Sequence, residues 1–120
     1  MKYPCVSQGE GSVKVEFAPQ TPGARHQPLR MVLDLGPSGE VLGIEVINLL
    51  LEVGKNALDT IGRTVPTTGD GVTYGYDEES DAFYLRLKSG KSLDQTSVDG
   101  VATCDAAGRI VGLDCNFCAG

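Results

Sequence analysis

Apolar and polar residues alternate strictly in two short stretches. Val13, Val15 and Phe17 are separated by Lys14 and Glu16, and Phe83, Leu85 and Leu87 by Tyr84 and Arg86. A period of two is the signature of a strand with one face buried. Residues 31–47 and 100–117 each read as a hairpin. Gly36-Pro37-Ser38-Gly39 places proline second and glycine fourth, which suits a type I turn followed by a left-handed residue. Asp105-Ala106-Ala107-Gly108 offers the equivalent turn. In the second strands, Leu42, Ile44 and Val46, and likewise Val111, Leu113 and Cys115, are expected to face the core. Gly43 and Gly112 fall on the opposite face, where another group approaches the backbone closely.

Between these regions the period changes. From Asn48 to Ile61, apolar residues recur at Leu50, Val53, Ala57, Leu58 and Ile61, the spacing of an amphipathic helix. Asn48 serves as an N-cap, Gly62 as a stop, and Pro66 prevents continuation. Gly54 weakens this helix by about 1 kcal/mol relative to alanine. Thr67-Thr68-Gly69-Asp70-Gly71 reads as a linker.

The chain also resembles itself. Met31 to Val46 aligns without a gap on Gly100 to Cys115, placing Gly39 on Gly108, Gly43 on Gly112, Ile44 on Leu113 and Glu45 on Asp114. Upstream, Val13–Phe17 aligns on Phe83–Leu87 after a one-residue loop adjustment. Two such matches in order argue for tandem duplication. The expected fold is α+β: one domain over residues 1–120, in which two repeats of a small antiparallel β-unit (about 5–47 and 75–117) are joined by one amphipathic helix (about 48–61) in a pseudo-twofold arrangement.

Composition narrows the function classes. The 120 residues carry a formal net charge of -6, and the ten Lys and Arg residues are scattered. With a pI near 4.6, generic nucleic-acid binding and adhesion to anionic lipid are disfavoured. The N-terminus has no apolar run, and Val46–Val53 is broken by Asn48 and Glu52. A cytoplasmic location is therefore expected. Four cysteines in a reducing compartment are expected to be thiols.

The second repeat carries Tyr76-Asp-Glu-Glu-Ser-Asp-Ala-Phe-Tyr-Leu-Arg-Leu87, then Asp99-Gly-Val101 and the hairpin from Asp105 to Asp114. This resembles the bacterial family called domain of unknown function 2283, in which a YDxExDxxYxRL-like strand pair precedes a GxxxGxE-like hairpin. The match covers residues 74–115 well. It is weaker over 5–47, where the acidic segment is lacking. The resemblance implies a small β-rich unit, usually a single copy followed by a helix, and no established activity. If single-copy relatives pair, this chain is their dimer fused into one polypeptide.

Candidate sites are few. Cys115-Asn-Phe-Cys118 is a CxxC, and Cys5 and Cys104 complete a possible zinc set. The repeat alignment instead puts Cys104 on Leu35, Cys115 on Val46 and Cys118 on Leu49, so these read as buried thiols at hydrophobic positions. Asp77, Glu78, Glu79 and Asp81 lack the pattern of a calcium loop and read as a solvated turn whose aspartates bond backbone amides. His26, the only histidine, reads as an exposed residue of a proline-rich loop. Tyr74, Tyr76, Tyr84 and Arg86 form a candidate aromatic–cationic stripe on an outer strand face. No catalytic residue, metal or cofactor is called for. The favoured function is a non-enzymatic interaction module that binds another small protein, as an antitoxin does, or a second copy of itself. Its contact candidates are Tyr76, Asp77, Asp81, Tyr84 and Arg86. The alternative is a small-molecule or cation site, or an enzyme, in a cleft between the repeats, where Glu45 and Asp114 face each other.

Overall fold

The period-two stretches form strands, but their partners are not their sequence neighbours. The structure, a computed structural model, describes residues 5–9, 11–19, 22–59, 67–69 and 72–116. In chain order these form β1 (Cys5–Gly9), β2 (Ser12–Glu16), β3 (Arg25–Leu35), β4 (Val41–Ile47), the helix α1 (Leu49–Val53), β5 (Thr67–Gly69), β6 (Val72–Asp77), β7 (Ala82–Arg86), β8 (Asp94–Cys104) and β9 (Ile110–Asn116). The strands make one antiparallel sheet, nine-stranded among the described residues, in the order β1-β2-β9-β8-β3-β4-β7-β6-β5.

At its centre β3 and β8 pair over their full lengths, from Arg25 opposite Cys104 to Leu35 opposite Asp94. Arg30 and Asp99 face each other in this ladder and form an exposed ion pair at 3.4 Å, worth little on its own. The hairpin partners β4 and β9 lie outside β3 and β8. The remaining strand pairs then attach crosswise. β2 docks on β9, far along the chain, and β7 docks on β4. The two sides match closely: β3 and β8 each have 11 residues, and β4 and β9 each have 7. Each central hairpin also shifts register at the same place, between Asp34 and Leu35 or between Thr103 and Cys104.

The α+β expectation is wrong: the fold is almost entirely β. The amphipathic helix expected over 48–61 lasts only from Leu49 to Val53. Gly54 adopts φ 124°, which leaves the helical region and which glycine tolerates best. Turns follow over 55–59, and residues 60–61 lie outside the described residues. Asn48 does not cap the helix with its side chain. Although short, the segment still delivers its apolar residues. Leu49, Ala57 and Leu58 are fully buried, and the Ile110 amide donates to the Ala57 carbonyl at 2.8 Å, closing one end of the sheet.

The sheet curls so that its wings meet over the core. Phe17, just after β2, packs edge-on against Tyr74 of β6 and Phe83 of β7, with centroids 5.8 and 6.1 Å apart. The Gln8 side chain on β1 donates to the Val41 carbonyl on β4 at 3.2 Å. Met31, Leu33, Ile44, Phe83, Leu85 and Leu113 fill the interior, and full burial of such side chains contributes about 1.5–3 kcal/mol each. The register shifts bring one further residue of each hairpin into the main core cluster. Leu35 lies opposite Val41 while Asp34 lies opposite Gly43, which leaves Leu42 unpaired. A bulge of this kind turns the extra side chain aside. Val41 and Ile110 therefore join the main core cluster, while Leu42 and Val111, buried as expected at 2% and 5% exposure, lie outside it.

Both turns form as expected, with Gly39 and Gly108 at φ 78° and 84°. His26 lies in β3 rather than in a loop, exposed and opposite Thr103. Pro28 is accommodated there because pairing of β3 with β4 begins only at Met31, so no ladder bond is demanded on that side. Among the described residues, no helix is long and apolar enough to cross a membrane.

Candidate functional site

Alternation along β4 and β7 directs Glu45, Tyr84 and Arg86 to the outer face of the sheet. Tyr84 lies opposite Glu45 on one side and Gly75 on the other. Its ring leans across Gly43. A Cβ built on Gly43 would stand 2.5 Å from the Tyr84 hydroxyl oxygen and 3.0 Å from Cζ, so only glycine leaves room for the ring. The hydroxyl donates to Asp34 Oδ2 at 3.0 Å, and Gln95 Nε2 donates to Asp34 Oδ1 at 2.7 Å. Arg86 donates to the Tyr84 oxygen at 3.4 Å and to the Gly90 carbonyl at 2.8 Å. Asp34, although buried, thus has a partner on each oxygen. Burial raises the phenol pKa of Tyr84. The Asp34 carboxylate adds to that shift, and the Arg86 guanidinium opposes it.

Because the ring leans towards Gly43, no described residue fills the space over Gly75. A Cβ on Gly75 would meet nothing within 4 Å among the described residues. A shallow groove of about 640 Å³ runs here, with Tyr84, Arg86, Glu45, Thr73 and Asp77 along it.

The same register on the other side of the sheet sets Gly112 opposite Thr103 and Glu16, as Gly43 is opposite Asp34 and Arg86. Lys14 stands opposite Asp114, in the place of Tyr84, and His26 opposite Thr103, in the place of Gln95. No ring among the described residues covers this glycine. Among the described residues, a Cβ on Gly112 would meet only the Val15 carbonyl at 3.3 Å and Thr103 Cβ at 3.8 Å. The result is a cavity of about 190 Å³ bordered by Lys14, Glu16, His26, Thr103 and Asp114. His26 Nδ1 and Thr103 Oγ1 are 3.3 Å apart.

The predicted contact residues separate. Tyr84 and Arg86 lie on the outer face as expected. Tyr74 is buried in the core, and Tyr76 is half-buried against it. Tyr74 pairs with Leu85, and Tyr76 with Phe83, so both share the inward side of those residues. The four-residue outer stripe therefore does not form. Asp77 accepts the Glu79 amide and the Ser80 hydroxyl within its turn. Asp81, at φ 54°, instead reaches across to α1. Its carboxylate accepts the amides of Leu50 and Leu51 at 2.9 and 3.1 Å, together with the Tyr76 hydroxyl. Asp81 is thus the N-cap that Asn48 is not. Burial works against its charge, but the Tyr76 hydroxyl and the two amides outweigh it and hold the carboxyl below its ordinary pKa.

Glu45 and Asp114 do not face each other. They sit on β4 and β9, with β3 and β8 between them, so their strands lie roughly 14 Å apart at normal strand spacing, and the register offsets them further along the strands. Each borders a different opening. The cysteines read as expected where described. Cys104 and Cys115 belong to the core cluster. Burial, reinforced by Asp114, pushes the Cys115 thiol up to about 11, so it stays protonated and unreactive. Cys118 lies outside the described residues. Sequence reasoning missed Asp34, whose signal was a lone carboxylate within the apolar run Met31–Leu35. It also missed Lys14, Glu16 and Thr103. Only the bare Gly112 pointed to them.

Compared with family models, with curated proteins and with solved structures, the chain matches none.

Proposed function

We propose that this chain is a non-enzymatic binding module that holds a segment of a partner protein in the groove over Gly75. The open groove itself carries the reading. Its floor is the β6 strand at Gly75, and its wall is the Tyr84 ring, fixed from behind by Asp34. A rigid aromatic beside an arginine is the pairing that dominates binding energy at protein interfaces. Glu45 and Asp77 at the rim, with the net charge of -6, favour a basic segment. A cytoplasmic setting and no affinity for nucleic acid or membrane belong to the same reading. So does kinship with the domain of unknown function 2283. Descent by tandem duplication is supported by the matched strand lengths and register shifts. Arg30 opposite Asp99 suits this history: in a symmetric pair of single copies one residue would face itself there, whereas a fused chain can place opposite charges.

The test is Gly75→Trp. A Cβ at this position meets nothing within 4 Å among the described residues, and the groove of about 640 Å³ is larger than an indole, so the variant is expected to fill it. A partner recovered from host lysate by the native chain is expected to be lost by the folded Gly75→Trp chain. Retention of that partner at native yield would exclude the groove.

A further inference from the structure

We propose that the cavity over Gly112 is a second binding site, one that takes a single planar ring bearing an amino group: a monocyclic heteroaromatic amine. The molecule supplies its own template. Over Gly43, in the same register, the space above a strand glycine is occupied by a six-membered ring, that of Tyr84. Over Gly112 the backbone is equally bare, but the tyrosine is replaced by Lys14, and the space remains open among the described residues. Its volume of about 190 Å³ suits one substituted ring, since a cavity of about 150 Å³ accommodates benzene.

The polar groups indicate the ring's substituent. At the filled position the phenol oxygen accepts from Arg86 and donates to Asp34. At the open position Glu16 stands where Arg86 does, and Thr103 where Asp34 does. The donor has become an acceptor, so a ring matched to this position brings an N–H to the Glu16 carboxylate, which Lys14 beside it leaves with further acceptor capacity. Asp114 at the rim favours the same polarity. Thr103, its hydroxyl beside His26 Nδ1, is left to bond a ring nitrogen or a second N–H. This site shares no residue with the Gly75 groove, so it stands or falls separately.

The test is titration of the ¹⁵N-labelled full chain with 2-aminopyridine at neutral pH, followed amide by amide. Saturable shifts are expected at Gly112 and Thr103. They should persist in Gly75→Trp and vanish in Lys14→Tyr, which supplies its own ring as Tyr84 does. Glu16→Gln removes the charged acceptor without altering shape and should weaken the probe roughly tenfold. It serves independently should Lys14→Tyr lose spectral dispersion. No saturable shift at Gly112, or unchanged affinity in Glu16→Gln, overturns the proposal.

Discussion

Gly43 and Gly112 occupy matching places in matching hairpins, yet the surface above them is finished in opposite ways. Over Gly43 the chain spends a tyrosine, a buried aspartate, a glutamine and an arginine to build a closed polar cluster. Over Gly112, Lys14, Thr103, His26 and Glu16 stand in those places and leave the backbone uncovered among the described residues. The strand geometry is the same, so the difference resides in side chains alone. One scaffold position can therefore serve as internal packing on one side and as an opening on the other. The tyrosine that fills the first opening also walls the neighbouring groove over Gly75, which ties the closed site to the proposed partner surface.

The sharpest way to break this comparison is to add one methyl group to each glycine. Gly43→Ala drives a Cβ into the Tyr84 hydroxyl and is expected to cost about 1–3 kcal/mol, measured by urea unfolding. Gly112→Ala meets no side chain closer than 3.8 Å and is expected to cost less than about 1 kcal/mol. In a Tyr84→Ala background the penalty of Gly43→Ala should fall to that of Gly112→Ala. If the penalty is the same in both backgrounds, Tyr84 is not what reserves Gly43.

Next comes the cluster behind the ring. Tyr84→Phe keeps the ring but leaves Asp34 Oδ2 without its donor, an expected loss of about 1 kcal/mol. Lys14→Ala, at the matching position, is expected to change stability by less than about 0.5 kcal/mol. Gly75→Val should act in the opposite direction, stabilising by roughly 0.5–1 kcal/mol, because a strand glycine is entropically costly and nothing described stands in the way.

The turns before β2 and β7 carry a smaller contrast. Gly11 and Asp81 are both left-handed, at φ 75° and 54°, but only Asp81 has a carboxylate to cap α1. Its pKa is depressed by folding, so its contribution is present above the unfolded value near 3.8 and is lost as pH falls through the folded value. Asp81→Asn should therefore flatten the decline of stability with pH below about 4. An acid-unfolding profile identical to that of the native chain would contradict the cap.

What was legible in the sequence was local. The alternation at Val13–Phe17 and Phe83–Leu87, the two turns and the special character of Gly43 and Gly112 all follow from neighbouring residues. The pairing of β2 with β9 and of β7 with β4 was not legible, because each joins segments far apart in the chain and each strand's pattern is satisfied by any apolar neighbour. The helix failed at one residue, Gly54, where backbone freedom outweighed apolar periodicity that tertiary packing satisfies without a helix. The outward face expected for Tyr74 and Tyr76 is not theirs, because they pair with the inward residues Leu85 and Phe83. A one-residue difference in register decides the face. Glu45 and Asp114 hold corresponding register places, opposite Val32 and Val101. Their equivalence places them on opposite sides of the β3–β8 centre and keeps them apart.

The most direct test of one scaffold with one filled and one open position is a proton NMR measurement of the native chain. Cross-peaks between the Tyr84 ring and the Gly43 Hα protons are predicted, with those protons shifted upfield by the ring. No aromatic cross-peak is predicted to Gly112 Hα. A ring over Gly112, or none over Gly43, would contradict the account.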